Sequence, residues 1–238
     1  AAPTGSGVVC RDSFDIVQPP EKPNLPYVSK EQRERNNERF AHEDSIRHAY
    51  LATFYNKETA LKALAARGIT DNDAGNGTMA DLLVKSQGNH NVIISFLAKH
   101  KDNLKRAVAL LSSLSDKDLR DMPTEILEDN FMAATDQLCP RVENEMIIHP
   151  FKQFFGKAFS KRQAEKFRTD PATLVSWIKQ NIRINPDKRA LMIAQTPVGV
   201  WESRITDSRS RKIFFVDVAR SLGIESRVDA VTQKAQYR

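Results

Sequence analysis

The amino-acid sequence predicts a mainly α protein of the α+β class, helical through most of its length and ending in a small antiparallel sheet. Three observations predict it. Apolar residues recur at helical spacing, as in Leu104, Val108, Leu111 and Leu114. Capping residues stand before several such runs: Ser29, Asn56, Ser115, Thr124 and Asp170. Near the end the period changes to two. Ile224, Ser226, Val228 and Ala230 are set against Arg227, Asp229 and Val231, the pattern of a half-buried strand.

In chain order, residues 1–28 read as an extended arm, because Pro19, Pro20, Pro23 and Pro26 forbid a regular helix. Phe14, Ile16, Val17, Leu25 and Tyr27 would let the arm dock on a surface. Ser29 and Gln32 form a capping box. The helix they open runs through Phe40, Ile46, Tyr50, Leu51 and Phe54, with a solvated first half and a buried second half expected. Asn56 caps a helix closed by Gly68. Asp71 to Gly77 is rich in turn formers. It lacks the spacing and terminal Glu of a calcium loop, so a plain turn is expected. Short helices follow around Met79–Val84, Val92–Leu97 and Leu104–Leu114, then after the caps Ser115 and Thr124. Residues 29–140 thus read as a helical domain.

Residues 141–238 read as a second domain. Phe151, Phe154, Phe155 and Phe159 have the spacing of a helix's core face, with the lysines of that segment, Lys152 among them, on the solvated face. Asp170-Pro171 starts a helix through Leu174, Trp177 and Ile178 that ends in Asn181-Ile182-Arg183-Ile184. Gly199-Val200-Trp201 then leads into Arg204-Ile205-Thr206-Asp207-Ser208 and an apolar helix.

Composition narrows the class. Of 238 residues, 40% are hydrophobic and 28% charged, which suits a globular chain and excludes a fibrous or disordered one. No run approaches the ~18 apolar residues of a membrane span. Ala1 to Gly7 has neither a charged nor an apolar leader segment and reads as a processed or recombinant start. The net charge of +6 is uneven. Residues 1–140 hold 17 Lys or Arg against 20 Asp or Glu, and residues 141–238 hold 19 against 10. Cys10 and Cys139 are too far apart for a Cys-x-x-Cys motif. A buried thiol at Cys139 and a loosely held one at Cys10 are expected rather than a disulfide. His42, His48, His90, His100 and His149 form no zinc motif, so neither metal nor cofactor is expected.

The segment from Arg204 to Tyr237 carries the strongest signal. Asp207-Ser208 opens a helix; Arg220-Ser221-Leu222-Gly223-Ile224-Glu225-Ser226-Arg227 closes it and leads into a strand. This resembles the core of the transglutaminase-like, papain-type cysteine enzymes, where a nucleophilic Cys begins a buried helix that ends in Arg-x-x-Gly-Ile-x-x-Arg. The helix with Trp177 and the phrase Asn181-Ile182-Arg183-Ile184 are also similar to that family. Ser208 stands where the family has its Cys, twelve residues before Arg220. Thr206 stands for the usual Gly, and Glu225-Ser226 for the usual Pro-Ala. The resemblance covers about the last third of the chain and is tight only from Ser208 to Arg227.

The resemblance implies a partial papain-like core in residues 141–238, with the family's His and Asp expected beyond Arg238. A helix N-terminus stabilises a thiolate but cannot turn a serine hydroxyl into an alkoxide without a positioned base. The chain is therefore expected to be catalytically inactive as it stands. It would serve as a scaffold or as a module recognising peptide or glycan, outside the cytoplasm, with Asp207, Arg209 and Trp201 as binding residues and Ser208 at the catalytic position. Arg204, Arg209, Arg211, Arg220 and Arg227 either form an anion site or pair with Asp207, Asp217 and Asp229. One alternative is acyl transfer by Ser208 with His and Asp from further sequence. The other is nucleic-acid binding through residues 151–168, which the core-face spacing of the phenylalanines disfavours.

Overall fold

The reciprocal bonds expected at Ser29 are present. The Gln32 amide donates to Ser29 Oγ and the Ser29 amide to Gln32 Oε1, both at 3.2 Å. They open α1, Lys30–Leu51, in a computed structural model that describes residues 27–75, 77–187 and 193–238. The chain divides into two compact units, Ala1–Ala52 and Thr53–Arg238. The arm expected at 1–28 lies outside the described residues except for Tyr27 and Val28. The second half of α1 corrects the sequence expectation: no residue of the helix is buried, and Phe54 lies beyond its end. Phe40, Ile46, Tyr50 and Leu51 make no continuous stripe along it, and charged residues interrupt them. Lys30–Glu34, Arg39–Glu43 and Asp44–Arg47 are neighbours on its surface, the kind of pairing that supports a solvated helix.

The second unit begins with helices α2 (Lys57–Ala65), α3 (Met79–Lys85), α4 (His90–Lys99), α5 (Leu104–Ser112), α6 (Asp116–Asp121) and α7 (Thr124–Phe131). Asn56 caps α2 with a box to Thr59, and Ser115 caps α6. Thr124 was expected as a cap but lies inside α7, whose N-cap is Pro123. Asp71 Oδ1 accepts the Ala80 amide at 2.8 Å, so the turn-rich loop fastens to the start of α3. These helices bury one apolar cluster, with Leu64, Met79, Ile93, Phe96, Leu97 and Leu110 among its most enclosed side chains.

A second cluster follows, built by α8 (Lys152–Ala158), α9 (Lys161–Thr169), α10 (Pro171–Asn181), α11 (Pro197–Ser203) and α12 (Ser208–Ser221). Four short strands accompany them. β1 (Arg183–Ile184) pairs in parallel with β2 (Ile205–Thr206), and β3 (Ser226–Val228) pairs antiparallel with β4 (Ala235–Tyr237). The fold is mainly helical with small sheets. The β3–β4 hairpin lies against α12, and its register places Ser226 opposite Tyr237. The parallel pair was not anticipated. It ties the end of α10 to the entry of α12, with the Arg183 amide on Arg204 O at 2.9 Å and the Asn185 amide on Thr206 O at 2.7 Å.

Between the clusters, residues 132–150 form no regular element, so side chains satisfy much of their backbone. Arg106 donates to the carbonyls of Phe131, Ala133 and Thr135. Arg141 holds Asp118 through Nε and Nη2, at 2.7–2.9 Å, and also reaches the Glu145 carbonyl. Burial works against ionisation of Asp118, but the Arg141 donors outweigh it and hold its carboxyl below the ordinary value. Cys139, expected to be buried, is half-buried with Sγ 3.4 Å from Ser113 O; Cys10 lies outside the described residues.

Candidate functional site

Asp207 fixes the start of α12. Its Oδ1 accepts the amides of Arg209 at 2.7 Å and Ser210 at 2.9 Å, and its Oδ2 accepts the Ser210 hydroxyl at 2.6 Å. Burial raises the Asp207 carboxyl, but the Ser210 and Arg209 donors prevail and leave it below the ordinary value. Ser210 Oγ accepts the Gln195 amide at 3.1 Å, which anchors the preceding loop. Ser208 is the first residue of the helix and is exposed, while its neighbour Ser210 is buried. From Ile213 onward the helix is enclosed on nearly all sides. Gly223 ends it at φ +82°, a conformation open to glycine, and turns the chain toward β3.

No described histidine hydrogen-bonds Ser208. The His90 ring sits 4.2 Å from that of Tyr55, with Nδ1 2.6 Å from Gln87 O. His100 Nε2 lies 3.0 Å from Glu128 and packs against Phe96 and Phe131. His42 and His48 lie on α1, and His149 is exposed. Among the described residues no group of three His, Cys, Asp or Glu could hold a metal ion.

The expected pairing of the arginines with Asp207, Asp217 and Asp229 is met only in part, through the attraction of Arg220 to Asp217 and of Arg227 to Asp229. Arg209 Nε donates to Glu143 at 2.7 Å, and its Nη2 to Asn144 at 2.6 Å. Arg204, at φ +57°, lies 3.9 Å above the Trp201 ring and 5.6 Å from Trp177. Arg227 reaches Gln236. The helix amides and Ser210 already occupy Asp207, and Thr232 donates twice to Asp229, which Arg227 attracts only electrostatically; among the described residues neither carboxylate forms an ion pair with these arginines. Trp201 is likewise structural in its surroundings. It stacks on Trp177 at 5.5 Å and meets Phe154, Phe155 and Phe159 edge-on. Phe151, Phe155, Phe159 and Phe167 are buried, so of these five rings only Phe154 presents surface.

The sequence reading missed a buried polar seam where α8, α12 and the 132–150 segment meet. Lys152, assigned to a solvated face, is 2% exposed, and its Nζ donates to Gln137 O at 3.0 Å. Asp217 is 1% exposed, and its Oδ2 has no hydrogen-bond partner among the described residues. Arg220 donates through Nε to Ser226 O at 3.1 Å and through Nη1 to Arg141 O at 3.4 Å, and it attracts Asp217 electrostatically. Glu145 is fully buried and accepts the amides of Val142 and Glu143. Asp129, on α7, accepts the amides of Phe151, Lys152 and Gln153 at 2.7–2.9 Å. It thereby caps α8, which has no local side-chain cap. The one sequence signal was Asp217 itself, a lone acid inside the run from Ile213 to Leu222.

Burial drives both titrations here. It lowers Lys152 to about 8, with Arg220 adding and Asp217 and Asp129 opposing. Burial raises Asp217 well above its ordinary 3.8, with Glu145 adding and Arg220 and Lys152 opposing. The unfolded chain binds the extra proton at Lys152 between pH 8 and 10.5, so this group makes stability rise with pH there. Asp217 acts in the opposite sense: its contribution is complete below about pH 3.8 and is lost as pH climbs through the raised folded value. Urea denaturation at pH 8 and 10.5 should show wild type gaining about 3 kcal/mol relative to Lys152→Met. A variant with the wild-type pH profile would sink this account. Lys152, Asp217 and Glu145 are each 2% exposed or less, so these side chains tie elements together.

Comparison with protein-family models, with curated proteins and with solved structures found no match to this chain.

Proposed function

We propose that this chain is a non-catalytic recognition scaffold built on a transglutaminase-like core, working outside the cytoplasm on a protein, peptide or glycan partner. The reading rests on the helix of the Arg-x-x-Gly-Ile motif. The residue at the family's Cys position, Ser208, is exposed at the helix start, and no described base hydrogen-bonds it. Asp207, the nearest carboxylate in sequence, spends both oxygens on the helix cap and on Ser210. A hydroxyl needs a general base within about 3 Å to become a nucleophile. The enclosed helix and the hairpin against it serve as a rigid support for surface loops.

Acylation tests this reading. Wild type and Ser208→Ala are incubated with a fluorophosphonate probe and their intact masses are compared. Equal masses, with no adduct that depends on Ser208, are expected. A stoichiometric adduct on wild type that the variant lacks would establish Ser208 as a nucleophile and remove the non-catalytic reading.

A further inference from the structure

A groove of about 170 Å³ opens where α10, α12 and β4 meet. Val175, Ile178, Phe215 and Tyr237 give it an apolar floor; Lys179 and Arg211 stand at its edge. Phe215 and Tyr237 pack with ring centroids 5.9 Å apart. Lys212 also borders the groove, but its Nζ is engaged with Gln233 O at 2.6 Å.

The charged side chains lining this groove, Lys179, Arg211 and Lys212, are all basic. α10 contains no acidic residue, and neither does β4. The one acid of α12 is Asp217, which is buried in the seam. Among the described residues neither Lys179 nor Arg211 pairs with a carboxylate. The surrounding segment, 141–238, carries 19 basic against 10 acidic residues. Surface cations on helices elsewhere in this chain commonly do have acidic neighbours, as with Glu58 and Lys62 or Lys117 and Asp121.

We infer that this groove docks an acidic peptide segment, seating one large apolar side chain on Phe215 and Tyr237 while flanking carboxylates meet Lys179 and Arg211. An apolar anchor in a pocket with a charged rim is how a small site gains both affinity and orientation. The volume suits one such side chain, which favours a peptide over the acyl chains of a lipid surface. The inference gives the recognition scaffold its partner class and rests on that reading for the absence of turnover. Labelling of Ser208 reports on that reading independently of binding at the groove.

The probe is a fluorescein-labelled peptide, Glu-Asp-Glu-Leu-Glu-Asp, titrated with the full chain by fluorescence anisotropy at low and high salt. Saturable binding is expected at low salt and should weaken as salt rises. Lys179→Glu with Arg211→Glu should weaken it about tenfold or more, and Leu→Ser in the peptide by a similar factor. Lys179 is exposed and Arg211 half-buried, and circular dichroism checks that the fold is kept. Tyr237→Ser, which removes part of the floor without altering charge, should also weaken binding. No saturation at low salt would overturn the proposal, as would binding indifferent to the charge reversal. Charge-sensitive binding to phosphatidylglycerol vesicles with none to the peptide would replace it with a lipid site.

Discussion

Asp129→Ala is expected to destabilise the chain by about 3 kcal/mol, although the residue is neither in the apolar core nor part of an ion pair. Its carboxylate accepts three consecutive amides at the start of α8, those of Phe151, Lys152 and Gln153. A lost N-cap costs about 1 kcal/mol at typical sites, and buried donors left open add about 1–3 kcal/mol. Asp129 is 1% exposed, so water cannot readily take the place of the missing oxygens. Asp129→Asn keeps one acceptor of the two and should fall between wild type and alanine. Urea denaturation at neutral pH reads the difference. If the alanine variant were as stable as wild type, the cap would be ornamental.

Phe155→Ala should cost about 3–5 kcal/mol, the range for aromatic truncation in a packed core. Phe155 is the hub of the second cluster: its ring meets Phe154 at 5.1 Å, Phe214 at 5.5 Å, Trp201 at 5.8 Å and Phe151 at 6.4 Å. Phe155→Leu retains much of the buried volume but loses the edge-to-face contacts, worth about 0.5–1.5 kcal/mol each in favourable cases. It should therefore be markedly milder. The Trp177–Trp201 pair lies in the same cluster, so tryptophan fluorescence in denaturant follows this loss directly. A leucine variant as damaged as the alanine one would mean that ring geometry outweighs volume.

What could be read from sequence was what neighbours in sequence decide. The box at Ser29, the cap at Asn56, the Asp170-Pro171 start and the cap at Thr206 or Asp207, which falls to Asp207, each involve residues a few positions apart, and each is present. The alternation expected from Ile224 to Val231 follows backbone geometry as far as Val228, with Ile224 and Ser226 buried, Arg227 exposed and Val228 half-buried; beyond it the strand ends, and Ala230 and Val231 are exposed. Lys152 was not legible, because its burial depends on Gln137 and on Asp217 far along the chain. Nor was the partner of Arg209: Glu143 lies in a segment without regular structure, where no periodicity guides an assignment. The exposed second half of α1 shows the opposite error. Counting apolar residues without checking that they share a stripe overstated burial there.

The borrowed cap on α8 gives assembly a direction. A seven-residue helix is too short to persist by itself in water, and this one begins without an acceptor of its own. The acceptor comes from α7, which is made earlier on the chain and completes the first cluster. A piece beginning at residue 141 would hold every ring of the aromatic cluster and yet lack the template on which its first helix is laid. The second cluster thus depends on the first for the end of one of its helices.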